Sequence, residues 1–269
     1  MADSTIKNLV QAQFGAVAER YVTSAIHAHG SDLARMIELA QPRGDERLLD
    51  IATGGGHTAL AFAPYVRAVV ATDLTPRMIE VAEAFIREQG AANVTFQVAD
   101  AEALPFPNAS FEIVTTRIAP HHFPNPRQYV REVARVLRPP SPSARHSGGL
   151  FVLDDNMAPE DRELDLFMNR FEQWRDPGHV RHHTISEWRE WMQEAGLRVE
   201  HVEPLQIKRY EFAGWTERMR MPAAERDALE AWLIAAPPRC AEFFQIAVED
   251  GHVKSLTGRY GIIVARKGE

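Results

Sequence analysis

Apolar residues along the chain change their spacing several times, and each change predicts a new element. Between residues 6 and 40 they recur every three or four positions, as at Ile6, Leu9, Val10 and Phe14, which predicts helices. Residues 47–52 form a short apolar run that ends in a glycine turn, which predicts a buried strand. Comparable runs predict strands at residues 67–72, 93–99, 111–115, 150–153, 197–202 and 260–265, with helical patterns between most of them.

Strands that alternate with helices indicate βαβ units. We therefore predict an α/β fold, a doubly wound Rossmann-like and mostly parallel seven-stranded sheet covered on both faces. Residues 1–43 are expected to form a helical N-terminal lid and residues 44–269 the main domain. Two aromatic-rich segments, near residues 156–184 and 206–256, are expected to be helical cap insertions that cover the ligand edge of the sheet. The Pro/Ser-rich segment 139–147 is expected to be a surface loop.

Composition narrows the class of protein. The chain has 269 residues, of which 45% are hydrophobic, and 37 acidic against 30 basic residues give it a net charge of −7. The charge disfavours a nucleic-acid-coating protein, and its single cysteine, Cys240, excludes a disulfide framework. Neither a membrane-spanning stretch nor a secretory signal is expected. We expect a cytoplasmic protein that acts on a small-molecule substrate, with neither nucleic acid nor membrane as partner, and leave a homodimer open.

Acidic residues end three successive predicted strands. Asp50 ends the first, Asp73 the second and Asp100 the third. In a parallel sheet, ligands bind in the crevice beyond the carboxyl ends of the strands, so these three side chains are expected to face one site. The turn after Asp50 carries Gly54 and Gly56, a spacing that taken alone also fits a dinucleotide-binding turn.

The charge of the three acids distinguishes between ligands. A pyrophosphate beside Asp50 would be electrostatically unfavourable, whereas a ligand with an ammonium and a sulfonium group would be favoured. Asp73 can accept hydrogen bonds from two ribose hydroxyls, and Asp100 can accept one from the adenine amine. S-adenosylmethionine carries these groups in that order. Two alternatives stay open, an NAD-dependent oxidoreductase that uses the same turn and a non-methylating S-adenosylmethionine-binding protein.

Three motifs carry a family resemblance. Residues 50–56 (DIATGGG), 71–78 (ATDLTPRM) and 98–106 (VADAEALPF) resemble the successive cofactor motifs of the class I S-adenosylmethionine-dependent methyltransferases. The similarity is greatest to the subgroup of ubiquinone/menaquinone-type small-molecule enzymes (methyltransferase type 11), and it covers roughly residues 44–155. The resemblance implies S-adenosylmethionine as cofactor and methyl transfer to a small, hydrophobic or aromatic molecule, with an oxygen, nitrogen or carbon acceptor.

The resemblance also implies roles for individual residues. Besides the acidic residues Asp50, Asp73 and Asp100, the resemblance assigns the turn to the methionine part of the cofactor and a second group of residues to the adenine. It also places an arginine after the fourth strand close to the methionine end and the substrate. The residues concerned are Ala52, Gly54 and Gly56 in the turn, Leu74, Met78 and Ala101 around the adenine, and Arg117. The chain departs from the quinone enzymes at Tyr21, which no acid follows. A quinone substrate is therefore not expected.

A histidine pair follows the fourth predicted strand. His121 or His122 could deprotonate an oxygen or nitrogen nucleophile, because the ordinary pKa of histidine lies near neutrality. The alternative is that they cap the next helix or line the pocket. The chain has 11 histidines, but the pairs 121–122 and 182–183 lack the i, i+4 spacing of two ligands on one helix face. We therefore expect no metal.

Overall fold

Five parallel strands form the centre of the sheet. The structure, a computed structural model, describes residues 2–19, 31–141 and 148–268, so Tyr21 and most of the Pro/Ser segment lie outside it. The strands are β1 (Arg47–Ile51), β2 (Ala68–Asp73), β3 (Val94–Val98), β4 (Ile113–Arg117), β5 (Leu150–Asn156), β6 (Leu197–Val202), β7 (Gln206–Glu211), β8 (Ala247–Glu249) and β9 (His252–Lys267). The main path runs in the order β3-β2-β1-β4-β5-β9-β6. Strands β1 to β5 pair in parallel, and β9 pairs antiparallel to both β5 and β6.

Helices cover both faces of this sheet. They are α1 (Ala2–Gly15), α2 (Ser31–Ala40), α3 (His57–Phe62), α4 (Pro76–Glu88), α5 (Pro126–Val136), α6 (Arg162–Arg175), α7 (Ile185–Glu194), α8 (Phe212–Arg218), α9 (Ala223–Ile234) and α10 (Pro238–Phe243). Alternate residues of each central strand point to opposite faces. Leu49 therefore packs in a core with Tyr129 of α5 and Trp188 of α7. Its neighbour Leu48 packs in a second core with Phe62 and Ile86. The predicted doubly wound fold is confirmed.

The C-terminal insertion contains strands as well as helices. Within the described residues the sheet has nine strands, because β7 and β8 both pair with the first half of β9. We expected the last strand to begin at residue 260, whereas β9 begins at His252. We predicted helices for residues 206–256 and no strands. No strand signal marks β7 in the sequence, because this strand buries only Tyr210 and exposes most of its polar side chains. Its strand character comes from pairing with β9, not from an apolar pattern.

The cap aromatics build a third core above the sheet edge. Phe167 and Phe171 of α6 pack against Trp215 of α8 and Phe244 after α10. Each of these four side chains is buried. The two insertions, which are distant in sequence, therefore share one core. Of the described helices, none combines the length and hydropathy needed to cross a bilayer.

We expect Phe244→Ala to destabilise the protein by about 3–5 kcal/mol, because it empties the centre of the cap core. Chemical denaturation followed by tryptophan fluorescence measures this change. The matched control is Phe243→Ala, whose side chain is half-buried under Arg259 and should cost clearly less. Equal effects of the two substitutions would contradict the assignment of Phe244 to the cap core.

Candidate functional site

A cavity of about 410 Å³ opens beyond the carboxyl ends of the parallel strands. The turns after β1, β2 and β3 supply one end of its wall, and the segment after β4 supplies the middle. Helix α1 and the cap close the remaining sides. The position is the one that the strand-end argument predicts for a ligand.

The turn after β1 depends on left-handed backbone at alternate residues. Ala52, Gly54 and Gly56 have φ angles of 55°, 54° and 87°. At Gly56 a Cβ atom would lie 2.8 Å from Cδ1 of Ile86, so glycine is required for the turn to pack on α4. At Gly54 a Cβ atom would meet nothing within 4 Å, and this residue lines the cavity together with Ala52. The turn thus presents bare backbone to a ligand.

Asp50 lies beneath the turn and is not part of the cavity wall. Its carboxylate accepts hydrogen bonds from the hydroxyls of Thr53, at 2.6 Å, and Thr115, at 2.8 Å. Burial raises the pKa of Asp50 to about 6. The expectation that Asp50 faces the ligand's cationic groups therefore does not match its position. These two bonds hold the turn against β4.

Asp73 does reach the cavity, with Leu74 and Met78 beside it. One carboxylate oxygen accepts the N–H of Gly54 at 3.0 Å, and the other accepts the N–H of Thr75 at 2.9 Å. These bonds tie the ends of β1 and β2 together, and burial raises the pKa of Asp73. Each oxygen retains a lone pair for a further donor.

The wall after β3 is linked to the N-terminal helix. Asp100 and Ala101 both line the cavity. Nζ of Lys7, on α1, lies 2.7 Å from carboxylate oxygens of both Asp100 and Glu102. Nearby, the side chain of Gln11 donates to the carbonyl of Leu74 at 2.8 Å. Helix α1 is thus held across this end of the cavity by polar contacts.

Arg117 is placed away from the cavity wall. Its Nε donates to Asp32 of α2 at 2.6 Å and lies 3.7 Å from the carboxylate of Asp154. The role near the methionine end that we expected for Arg117 does not match this position. Its side chain is directed toward the half-buried Asp32 and the buried Asp154, and the cavity wall after β4 is built from Ile118 and Ala119 instead.

His121 and His122 both line the cavity, but their surroundings differ. Nδ1 of His121 lies 2.7 Å from Oδ1 of Asp155, and the backbone N–H of His121 donates to Oδ2. Burial opposes the charge of His121, but the attraction of Asp155 outweighs it and raises the pKa of the imidazole. For His122, burial and the neighbouring His121 lower the pKa to about 4. Its Nδ1 lies 2.9 Å from the carbonyl of Gly178.

A second histidine segment joins this wall. The backbone N–H groups of Val180 and Arg181 donate to the carbonyl of His121 at 2.8 and 3.1 Å. The ring of His182 is thereby held 4.7 Å from that of His121. Sequence reasoning missed Asp155, and it set His182 aside because adjacent histidines lack metal-ligand spacing. The strand-end rule would have found Asp155, which follows Asp154 near the end of β5, whereas no local spacing linked His182 to this site.

Comparison with known proteins agrees with this geometry. A family model described as "Methyltransferase domain" matches residues 49–141. An uncharacterized methyltransferase of Bacillus subtilis (strain 168), YcgJ, is 40% identical over 87% of this chain and 89% of its own length. The 27-O-demethylrifamycin SV methyltransferase of Amycolatopsis mediterranei (strain S699) is 33% identical over 72% of this chain and 65% of its own.

Solved structures show the same relationship. A protein from Bacillus halodurans C-125 has a TM-score of 0.84 and 41% identity, covering 89% of this chain and all of that one. These relatives do not favour the alternative of an NAD-dependent oxidoreductase. The chain belongs to the class I S-adenosylmethionine-dependent methyltransferases, and S-adenosylmethionine is its cofactor.

Proposed function

We propose that this methyltransferase acts on a small hydrophobic or aromatic molecule. The molecule would bind between the cofactor and the part of the cavity wall that contains His121 and His122. The observation that carries the proposal is that one cavity has room for both ligands, with one end at the strand ends and the other beneath the cap. Asp73 and Met78 lie in its wall at the strand ends, and His121 and Trp215 lie in its wall toward the cap. A cofactor at the first end leaves the second for an acceptor.

The first end fits the parts of S-adenosylmethionine. The bare backbone at Gly54 suits the methionine part, the Asp73 carboxylate suits the ribose hydroxyls, and the side chains of Leu74 and Met78 suit the faces of an adenine. Asp50 supports this site from below, because it holds the turn. When bound, the cofactor supplies a methyl group that its sulfonium has already activated.

The second end has an apolar surface and a polar one. Phe14, Phe123, Tyr210, Trp215 and Met219 contribute apolar surface, as is usual in small-molecule sites. The polar surface contains the histidines together with charged side chains such as Glu172, Arg175 and Lys208, and an acceptor atom would be oriented there. The chain's main task is therefore to align the acceptor with the methyl group and to keep water out.

His121 is better suited than His122 to contact the acceptor. Asp155 uses Nδ1 of His121 and orients the ring, which leaves Nε2 for a ligand in the cavity. His122 is held by Gly178 and lies edge-on against Phe14 of α1. We assign His121 the contact with the acceptor and Asp155 the positioning of His121.

Residues 1–43 act in this proposal as a lid on the main domain, residues 44–269, with the cap opposite. Besides Lys7 and Gln11, Gln13 also tethers α1, since its side chain donates to Asp176 at 2.8 Å. These three contacts reach both ends of the cavity. Because they are polar and partly solvated, they can exchange when ligands enter.

We expect Asp73→Asn to weaken S-adenosylhomocysteine binding by about 10- to 100-fold, the effect of losing one charge-assisted hydrogen bond. Isothermal titration measures the affinity, and circular dichroism verifies the fold. Asp250→Asn, the same change in an exposed turn, is the control and should bind like the wild type. Wild-type affinity in a folded Asp73→Asn protein would contradict the ribose assignment.

We expect His121→Asn to lower methyl transfer by about 100-fold or more, because the amide can replace Nδ1 toward Asp155 but offers nothing in place of Nε2. The assay follows methylated products from a panel of hydroxylated and aminated aromatic molecules by mass spectrometry. His122→Asn, which keeps the bond to Gly178, should lose much less. Both variants should retain S-adenosylhomocysteine affinity, and equal losses of turnover would contradict the assignment of His121.

A further inference from the structure

We infer that His121, Asp155 and His182 bind a divalent transition-metal ion at the cap end of the cavity. Each of these residues offers one ligand atom, and the three atoms lie within 4.8 Å of one another. All three side chains are buried. Two imidazoles and a carboxylate are the donor set of many catalytic zinc and non-haem iron sites. This metal cluster, as we call the three residues, departs from the expectation that no metal binds.

Spacing along the chain could not reveal this cluster. Two adjacent histidine pairs have no metal-ligand spacing of their own, but the structure takes one histidine from each pair and an acid from a third segment. Backbone hydrogen bonds from Val180 and Arg181 hold the two histidine segments together. The side chain of Asn169 fixes both the N–H and the carbonyl of His182. The backbone of the cluster is therefore rigidly placed before any ion binds.

His182 lacks the partners that a buried imidazole requires. Among the described residues, no group hydrogen-bonds either of its ring nitrogens, although the side chain is only 1% exposed. A buried polar atom without a partner destabilises the folded protein, because it has lost its hydrogen bonds to water. The ring faces the cavity wall beside His121. A metal ion would supply the missing partner.

Asp155 serves the cluster in the usual manner of a metal-site carboxylate. Its Oδ1 lies 2.7 Å from Nδ1 of His121, so one ion can bind both atoms in place of the proton that they share. Nε2 of His121 then remains for the acceptor in the cavity. Glu172 offers a further ligand atom for the ion, because its Oε1 lies 3.8 Å from Nε2 of His182. Zinc–ligand distances of about 2.0–2.1 Å require these side chains to approach by rotation.

The charge around the cluster favours a divalent cation. Three buried carboxylates, those of Asp155, Glu172 and Asp176, surround the histidines. Arg175, which donates to Glu172 at 2.9 Å, neutralises one of them. With neutral imidazoles, two negative charges remain. An ion of charge +2 would balance them without any change in the fold.

The role of the ion rests on the proposed function. An acceptor hydroxyl that binds the ion would ionise more readily, since a metal lowers the pKa of a bound oxygen. The O–H bond breaks, its electron pair stays on the oxygen, and the proton leaves to water. That pair then forms the bond to the methyl carbon, and the pair of the broken C–S bond remains on sulfur. Metal binding itself is independent of this step and is measured without an acceptor.

The test is a titration of the untagged, chelator-treated full chain with Zn²⁺, followed by Co²⁺ as a spectroscopic probe. We expect one Zn²⁺ per chain and a Co²⁺ absorption spectrum with ligand-field bands. His182→Gln should weaken binding at least 100-fold and remove the bands. Asp155→Asn should also weaken it by at least about 100-fold, because a neutral amide replaces a charged ligand.

His183→Gln is the matched control. His183 is also buried and is the next residue in the chain, but it packs against Trp188 and Trp191, away from the cavity. This variant should bind both ions like the wild type. S-adenosylhomocysteine affinity reports the integrity of the fold in each variant. The inference would be overturned if the wild type bound no stoichiometric Zn²⁺, or if His182→Gln bound Zn²⁺ as tightly as the wild type. Either result would leave the proposed methyl transfer untouched, because the acceptor assay tests that function separately.

Discussion

Buried carboxylates at the ends of parallel strands organise this molecule. A charged group removed from water must be hydrogen-bonded, so each acid holds a nearby loop at the strand ends. Asp50 holds the glycine turn through Thr53 and Thr115. Asp73 joins that turn to the start of α4, and Asp155 holds the segment after β4 through His121. The cavity wall is built largely from loops placed in this way.

These acids differ in their position relative to the cavity. Asp50 lies beneath the turn, where it accepts two hydroxyl groups, whereas Asp73 lies in the cavity wall and accepts two backbone N–H groups. The distinction follows from geometry, because a side chain at a strand end can point below the following turn or out of the crevice. A carboxylate beneath a turn stabilises the conformation that a ligand contacts. The cavity wall thus depends on residues that do not themselves line it.

Adjacent histidines in the segment after β4 have different chemistry because different elements surround them. His121 is oriented by Asp155 from β5, and His122 is held by Gly178 and contacted by Phe14 from α1. One pKa rises and the other falls as a result. The polar groups at the cap end of the cavity therefore come from segments that are far apart in the chain. Helix α1, strand β5 and the segment that contains Gly178 meet at this single wall.

The sequence by itself determined the alternation of strands and helices, the order of the strand-end acids and the cofactor, because these depend on local apolar periods and on short contiguous motifs. It placed Gly54, Asp73, Leu74, Met78, Asp100 and Ala101 at a strand-end site, and the structure shows all of them in the cavity wall. Only the tertiary structure decided where Asp50 and Arg117 point, since their partners Thr115, Asp32 and Asp154 come from other elements. The strands β7 and β8 likewise arise from pairing with β9. The meeting of His121, Asp155 and His182 depends on backbone contacts between distant segments, which no local pattern records.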